Sequence, residues 1–154
     1  KWSYTEDWGW DSASETIEKL VRLRAWGGNL LANVGPKGDG SIPGQALAAW
    51  AEMAAWMKHS RESVIGAGPG PFPEQVNAPV TTRDGAAYVH FLPGFKDEVA
   101  WKGAPKFNRA VLLRTGEPVV FTVEGGNLKL KLADALRTPL VDVVRLDFGD
   151  DHRR

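Results

Sequence analysis

The spacing of apolar and polar positions changes near residue 70 and divides the chain into two patterns. Up to Gly66, apolar residues recur every three or four positions, which is typical of helices that bury one face. After a cluster of Gly and Pro from Gly66 to Pro73, short apolar runs alternate with Gly, Pro and Asn, which is typical of strands joined by turns. We therefore predict a helical part followed by a β part.

The first helix is predicted to begin at Ser12, because Ser12 and Glu15 have the spacing of a capping box. The pair Gly27-Gly28 is expected to end this helix. Its predicted buried stripe consists of Ile17, Leu20 and Val21.

A second helix is predicted to begin at Ile42-Pro43, since proline is well suited to the first turn of a helix. Residues spaced by three or four along it form its predicted buried face: Leu47, Trp50, Ala54 and Met57, widened by Met53 and Trp56.

The run from Asn29 to Val34 between the two helices is predicted to be a strand of a parallel sheet, because it is a continuous apolar run flanked by helices. Asn33 interrupts the run, and a buried Asn needs several hydrogen-bond partners. We expect Asn33 to fix the end of this strand. One strand cannot form a sheet, so this part is expected to belong to a larger α/β domain.

The β part contains six predicted strands with turn residues between them. They are Ala86–Leu92, Glu98–Lys102, Ala110–Leu113, Val119–Val123, Leu128–Leu132 and Val141–Leu146. The last two alternate between apolar and polar residues, so each is expected to bury one face. Six short strands with regular turns predict a small antiparallel β-sandwich.

The predicted fold class is thus α+β, with a barrel-type helix–strand–helix segment before the sandwich. The predicted divisions are residues 1–66 for the α/β segment, 67–77 for a linker, 78–149 for the sandwich and 150–154 for a charged tail. The N-terminal segment exposes apolar faces unless they pack on the sandwich, on a second chain or on a missing part of the same protein.

Composition narrows the function classes. Apolar residues make up 43% of the chain and charged residues 25%, as in ordinary globular proteins. The 19 basic and 19 acidic residues balance, so we expect no nucleic-acid partner. No apolar run approaches the roughly 18 residues of a membrane span, and no membrane partner is expected. Cysteine is absent, which excludes disulfides and cysteine metal sites.

The glycine-rich turn from Gly35 to Gly40 follows a predicted strand and precedes a helix, as phosphate loops do. Its order of glycines matches neither the P-loop nor the dinucleotide fingerprint, and Pro36 lacks the N–H that a phosphate would need. We predict a tight turn capped by Asp39 instead.

The three histidines, His59, His90 and His152, show no metal-ligand spacing and are expected to be structural. No serine lies in a G-x-S-x-G elbow. We therefore predict neither a metal nor an organic cofactor.

The segment from Trp2 to Trp10 holds four aromatic residues and the adjacent acids Glu6 and Asp7. Aromatic rings stack on the C–H faces of sugars, although such rings often simply pack. A glycosidase needs two carboxyl groups about 5 to 9 Å apart, on opposite sides of the scissile bond. Adjacent residues rarely project in this way, so a second carboxylate is expected to come from elsewhere.

The order of these motifs resembles the C-terminal part of α-L-fucosidases of glycoside hydrolase family 29. Three stretches carry the resemblance: Trp8-Gly9-Trp10, then GGNLLANVGPKGDGSIP from Gly27 to Pro43, then the helix that ends in WMKHSRESVIG at Gly66. The strands from Ala78 onward resemble that family's C-terminal sandwich.

The resemblance implies a retaining hydrolase that removes terminal α-L-fucose from glycans without a cofactor. The family uses an Asp nucleophile and an Asp or Glu acid/base in a barrel of roughly 300 residues. Most of that barrel, with the nucleophile, precedes the matching part, so the chain alone is expected to be inactive. The expected partners are a fucosylated glycan and the N-terminal barrel portion.

Trp8 matches the aromatic residue that lies close to the fucose pocket in the family, and it is the first predicted substrate-binding residue. Trp10 stands where the family usually has Tyr and is the second. Trp2-Ser3 stands where the family has a Trp-Glu pair, so the acid/base carboxyl is missing there and Glu6 is the candidate substitute.

Two alternatives remain open at this stage. The chain is a carbohydrate-binding or structural sandwich module, which the aromatic residues favour, or it is a fucosidase-like protein of altered specificity, which Ser3 and Trp10 favour. Secreted, periplasmic and lysosomal locations are common in the family, but the chain begins at Lys1 without a signal peptide. Its compartment and oligomeric state stay open.

Overall fold

Three layers make up the structure: a pair of helices, a five-stranded sheet and a three-stranded sheet. A computed structural model describes residues 3–7 and 9–149. The helices are α1 (Ala13–Ala25) and α2 (Gly44–Ser60), with short 3-10 turns at Arg61–Ser63 and Asp134–Leu136. The strands are β1 (Gly68–Pro69), β2 (Val80–Arg83), β3 (Ala86–Phe91), β4 (Val99–Lys102), β5 (Phe107–Leu112), β6 (Phe121–Glu124), β7 (Asn127–Leu130) and β8 (Asp142–Phe148).

The two sheets form the predicted antiparallel sandwich. Strand order is β1-β2-β3-β8-β5 in one sheet and β4-β7-β6 in the other, and all pairs are antiparallel. The six predicted strands correspond to β3 through β8. The pattern missed β1, which has two residues, and β2, whose two threonines weaken its apolar signal.

The five-stranded sheet is covered on both faces. In β3 every residue is buried: Ala87, Val89 and Phe91 join the core between the sheets, whereas Ala86 and Tyr88 join the core against the helices. The expectation that β8 buries only one face is wrong, because α1 and α2 cover its second face. It holds for β7, whose residues alternate between exposed and buried.

Helix α1 forms as predicted. The Ser12 hydroxyl accepts from the backbone N–H of Glu15, and the Glu15 carboxylate accepts from the backbone N–H of Ser12. Ile17 and Val21 are fully buried, and Leu20 packs beside them. The helix ends before Gly27, whose φ is 82°.

The predicted strand from Asn29 to Val34 is not formed. Residues 28–37 carry no regular secondary structure, because a parallel strand needs a neighbouring strand and the described residues offer none beside it. Asn33 is exposed rather than buried. We call residues 28–43 the inter-helix segment.

Half of the predicted face of α2 is confirmed. Trp56 is fully buried against the sheet, where its indole N–H donates to Val141 O at 2.7 Å, and Met53 and Met57 are partly buried beside it. Leu47, Trp50 and Ala54 are exposed, so their predicted burial is wrong. The helix is apolar on two sides, and the spacing of apolar residues alone could not tell which side meets the sheet.

The predicted linker runs along the end of α1. Gly70 donates to Ala25 O at 3.1 Å, and a Cβ on Gly70 would overlap the carbonyl of Val80. Glycine is thus required where the chain passes between α1 and β2. The helical part packs on the sandwich through a shared core, and the proposed division at residue 66 stays a prediction.

Candidate functional site

One of the predicted site residues near the N-terminus, Trp10, lines an open groove. Trp8 lies outside the described residues. Trp10 is half-buried and lines a groove of about 420 Å³ between the start of α1, the inter-helix segment and α2. Glu6 is exposed in a turn and does not line this groove.

The start of α1 is fixed directly after Trp10. The capping box joins Ser12 to Glu15, and the hydrogen bond from the Ser12 backbone N–H lowers the pKa of the Glu15 carboxyl. Asp11, next to Trp10, pairs with Lys19 across two turns of the helix at 2.6 Å. These contacts fix the direction in which the chain continues from Trp10 into α1.

A close backbone crossing holds the N-terminal residues near the groove. Gly35 is buried, and a Cβ at this position would overlap the backbone of Ser3 and Tyr4. Only glycine permits this approach. The crossing holds the segment that precedes Glu6 and Trp10 against the inter-helix segment at Gly35.

The glycine-rich turn from Gly35 to Gly40 is closed by its own side chains, as predicted. The Asp39 carboxylate accepts from the hydroxyl of Ser41 at 2.7 Å and from its backbone N–H at 2.9 Å. These hydrogen bonds lower the pKa of Asp39. A carboxylate thus occupies the donors that a bound phosphate would need, so the turn is unsuited to nucleotides.

Apolar and polar side chains line the groove together. The apolar ones include Leu30, Leu31, Val34, Met53 and Trp50, and the polar ones include Thr16, Lys19 and Asn33. Asp11 is the only carboxylate among its described lining residues, and Lys19 already neutralises it. A glycosidase pair is therefore absent from this groove as the described residues form it.

Trp50 is the groove residue that sequence reasoning misplaced. It was assigned to the buried face of α2, yet its side chain is 43% exposed and shares the groove with Trp10. The available signal was the second apolar side of α2, which also carries the exposed Leu47.

The histidines are not brought together. His59 lies at the end of α2, where burial lowers its pKa. His90 is buried in β3 with Nδ1 3.0 Å from Pro79 O, and His152 lies outside the described residues. Among residues 3–7 and 9–149 no cluster of His, Asp and Glu has metal-site geometry, and neither helix is long and apolar enough to cross a bilayer.

Comparison with known proteins identifies the relationship. Residues 1–62 match the family model described as alpha-L-fucosidase. The chain is 30% identical over 115 residues to the tissue alpha-L-fucosidase of Rattus norvegicus, a match that covers 71% of this chain and 25% of that protein. The chain therefore spans about a quarter of the length of this relative.

Solved structures agree over almost the whole chain. Alpha-L-fucosidase isoenzyme 1 from Paenibacillus thiaminolyticus is 25% identical, with a TM-score of 0.83 over 97% of this chain and 38% of that one. A GH29 alpha-L-fucosidase from Bacteroides thetaiotaomicron, trapped as a covalent intermediate, shares the fold with a TM-score of 0.79, over 95% of this chain and 35% of that one. The superposition includes both the helical part and the sandwich, and residues 1–62 match the family model, so the chain is similar to α-L-fucosidases over almost its whole length.

Proposed function

We propose that this chain is the C-terminal part of a retaining α-L-fucosidase that removes terminal α-L-fucose from glycans. The carrying observation is that nearly all of the chain superimposes on part of a much longer fucosidase. A chain related in this way over both its helices and its sandwich has the architecture of the end of such an enzyme.

In a retaining mechanism, a carboxylate attacks the anomeric carbon while the glycosidic C–O bond breaks, and a second carboxyl group protonates the departing oxygen. Water then cleaves the glycosyl-enzyme bond, and the second group takes up its proton. The two groups stand about 5 to 5.5 Å apart. Since the described groove lacks such a pair, we propose that the nucleophile lies in an upstream barrel and that this chain alone is inactive.

Trp8 and Trp10 are proposed to contact the substrate. An indole ring is a suitable apolar surface for the C6 methyl group that distinguishes fucose from sugars with a 6-hydroxyl. Trp10 lines the groove beside the start of α1, and this position supports its proposed contact with the substrate. The test compares the fucosidase activity of two variants of the full protein. Trp10→Tyr introduces the residue usual in the family, and Trp10→Ala removes the aromatic ring.

The N-terminal barrel portion is the proposed partner of the groove. Leu31 is 78% exposed and Leu47 and Trp50 are exposed beside it, so a sizeable apolar surface faces outward. Large exposed apolar side chains of this kind are usually covered by protein. We propose that strands from the same protein cover this surface and give the inter-helix segment its missing neighbours.

Release of an aryl group from an aryl α-L-fucoside tests this function. The 154-residue chain alone should give no release, whereas the protein that carries it together with its upstream part should turn over. Robust turnover by the isolated chain would contradict the proposed division of the site. Proton NMR of the first product separates retention from inversion, because a retaining enzyme releases α-L-fucose first.

Glu6 is the proposed acid/base, and its side chain is exposed in a turn. In the full protein, Glu6→Gln should lower kcat/KM about 10²-fold or more on a substrate with a poor leaving group. It should lower it far less on an activated aryl fucoside, which needs little protonation. Asp7→Asn is the matched control, and equal losses on both substrates would remove Glu6 from this role.

A further inference from the structure

The two sheets end in four edge strands, which are β1 and β5 in the five-stranded sheet and β4 and β6 in the three-stranded sheet. The outer side of an edge strand presents backbone N–H and C=O groups that can pair with a strand of another chain. The way in which each edge is covered therefore shows where this protein can add a strand.

The edges at β1 and β4 are closed. Strand β1 has only two residues, and one of them is a proline. On β4, the backbone N–H of Ala100 donates to Asn77 Oδ1 at 2.8 Å, and the backbone N–H of Lys102 donates to Gln75 O at 2.7 Å. The outward N–H groups of β4 are thus already bonded.

The edge at β5 is closed by the chain that follows it. The backbone N–H of Leu112 donates to Glu117 O at 2.9 Å, and the backbone N–H of Val119 donates to Ala110 O at 2.9 Å. This short segment lies along β5 before the chain enters β6 in the other sheet. The outer side of β5 therefore already has a partner.

The edge at β6 is open. The loop between β6 and β7 consists of two glycines with φ values of 57° and 78°, as in a type I′ turn, so Glu124 and Asn127 form the hydrogen-bonded pair that closes it. Because such pairs alternate along an antiparallel ladder, the backbone N–H and C=O groups of Phe121 and Val123 point away from β7. Within the part of the chain that the structure describes, no backbone or side chain bonds to these outward groups.

The side chains of β6 leave this edge unprotected. Phe121 and Val123 lie on the side of the sheet that faces the sandwich core, since they stand opposite the buried Leu130 and Leu128. Phe121 is partly buried there, but Val123 is 48% exposed. The strand holds no proline, no lysine and no inward-pointing charge, which are the groups that usually prevent strand addition.

The sequence of β6 is suited to antiparallel pairing with a second copy of itself. A twofold axis at Thr122 places Phe121 of one copy opposite Val123 of the other, with their outward N–H and C=O groups facing each other. The two threonines then lie opposite each other, and Val120 rather than a charged residue lies opposite Glu124. Aromatic–β-branched and Thr–Thr pairs stabilise a sheet, whereas like charges directly opposite each other destabilise it.

The β6 edge is also remote from the surface that is proposed to meet the upstream barrel portion. Helices α1 and α2 pack on the five-stranded sheet, and the exposed Leu31, Leu47 and Trp50 belong to this helical part. Strand β6 belongs to the other sheet, across the sandwich core from the helices. Strand addition at β6 therefore leaves the helical surface available to the rest of the protein.

We propose that β6 is a self-association edge, through which two copies of the protein pair their three-stranded sheets antiparallel across a twofold axis at Thr122. The pairing joins the two sheets into one continuous sheet and covers the exposed side of Val123. A strand of four residues buries less than the roughly 1,200 Å² of a stable interface, so the dimer forms reversibly as the protein concentration rises. The proposal is independent of the proposed hydrolysis, because no residue of this edge belongs to the candidate site.

A disulfide across the axis tests the pairing and its register. The chain has no cysteine, so Thr122→Cys supplies its only thiol, at an exposed position. In a non-hydrogen-bonded antiparallel pair the two Cα atoms lie about 4.5 Å apart, within the roughly 4.4–6.8 Å that a disulfide spans. In the protein that carries this chain, mild oxidation with diamide should join two copies through peptides that contain residue 122, which mass spectrometry identifies.

Glu124→Cys is the matched control. This position of β6 is also exposed, but the same register places the two copies of residue 124 about 14 Å apart along the strands. The variant should give far less linked dimer at the same protein concentration. Equal linking by both variants would indicate random collision and would overturn the register.

Sedimentation velocity over a wide range of protein concentration tests the association without an added thiol. Val123→Glu places a charge on the inner side of the open edge and should weaken the dimer about tenfold. Ala100→Glu places the same charge at an exposed position of β4, the closed edge of the same sheet, and should leave the dimer unchanged. Thermal unfolding of each variant separates a loss of pairing from a loss of folding.

The proposal is overturned by a protein that stays monomeric at every concentration or by a Thr122→Cys variant that forms no linked dimer. It is also overturned by a Val123→Glu variant that dimerises as the unsubstituted protein does, because such a dimer would use another surface. The disulfide result stands even if Val123→Glu fails to fold.

Discussion

The sandwich and the helical part differ in how completely they bury their apolar residues. The two sheets enclose a core of Val, Leu, Phe and Trp side chains between them. The helical part buries Ile17, Val21 and Trp56 against the five-stranded sheet, yet most of the large exposed apolar residues of the described chain belong to it. They are Leu23, Trp26, Leu31, Leu47, Trp50 and Ile65, against Phe72, Val120 and Val123 later in the chain.

The difference shows which apolar surfaces are covered by residues of the described chain and which are left exposed. A β-sandwich satisfies its strands with neighbours from the same chain, so its apolar faces close on themselves. A helix–strand–helix segment of a parallel barrel depends on other strands of that barrel. The proposed upstream barrel portion would account for both the irregular inter-helix segment and the exposed side of α2.

The largest expected effect comes from the one tryptophan that joins the two regions. Trp56→Ala removes a fully buried indole and its hydrogen bond to Val141 O. It should lower the free energy of unfolding by about 3–5 kcal/mol. Urea denaturation followed by circular dichroism measures the change.

Trp50→Ala is the matched control, because Trp50 lies in the same helix with its side chain 43% exposed. It should cost clearly less than Trp56→Ala. Similar losses for the two variants would contradict the assignment of the two sides of α2.

A buried ion pair closes the end of the sandwich that receives α2. The Asp142 carboxylate is almost completely buried, accepts from Arg137 Nε at 3.2 Å and accepts from Thr138 N at 2.8 Å. The Arg137 guanidinium also donates to the carbonyls of Leu92 and Phe95. Arg137→Met removes the closer of two cationic partners, since Arg114 Nε also lies 3.7 Å from Asp142 Oδ1, and should cost about 2 kcal/mol or more.

Lys19→Met is the control for that variant. Lys19 pairs with Asp11 on the surface, so its loss should leave the urea midpoint within experimental error. The comparison fails if the surface pair proves as important to stability as the buried one.

His90 lies on the side of β3 that faces the helices, since successive residues of a strand alternate between faces. Burial lowers its pKa to about 4, below the roughly 6.5 of an unfolded histidine. Between these pH values the unfolded state binds more protons, so stability is complete above about 6.5 and falls as the pH drops toward 4. The loss should reach about 3 kcal/mol.

Denaturation midpoints between pH 7 and pH 4 measure this dependence. His90→Gln should remove the contribution of His90 to the fall of the midpoint with decreasing pH. An unchanged slope in this variant would show that other groups control the acid response.

The smallest effect on stability is expected at the crossing beside the candidate site. Gly35→Ala places a methyl group against the backbone of Ser3 and Tyr4 and should displace the N-terminal segment. Because that segment has few buried side chains, unfolding should shift by about 1 kcal/mol or less, while kcat/KM of the full protein falls. Gly38→Ala, with open space around the position, is the control.

Local signals were sufficient for several elements. Ser12 and Glu15 define the start of α1 because a capping box works through atoms three residues apart. Asp39 and Ser41 close the turn before α2 for the same reason. The pair Gly125-Gly126 joins β6 and β7 as a two-residue hairpin loop.

Signals that depend on distant residues failed. The run from Asn29 to Val34 has the composition of a buried strand, but a strand exists only where another strand supplies hydrogen-bond partners. Likewise the alternation in β8 could not reveal that helices cover its polar side. The groove that Trp10 shares with Trp50 could not be predicted, because it depends on the rotation of α2.

The sequence by itself determined the helix boundaries, the turns, most of the strands and, through its motifs, the resemblance to α-L-fucosidases. These features depend on neighbours along the chain, whose geometry is fixed by covalent connection. The tertiary structure alone decided which side of α2 is buried and that both faces of the five-stranded sheet are covered. It also formed the groove at the start of α1. Those features depend on packing between residues far apart in the chain, which apolar spacing does not encode.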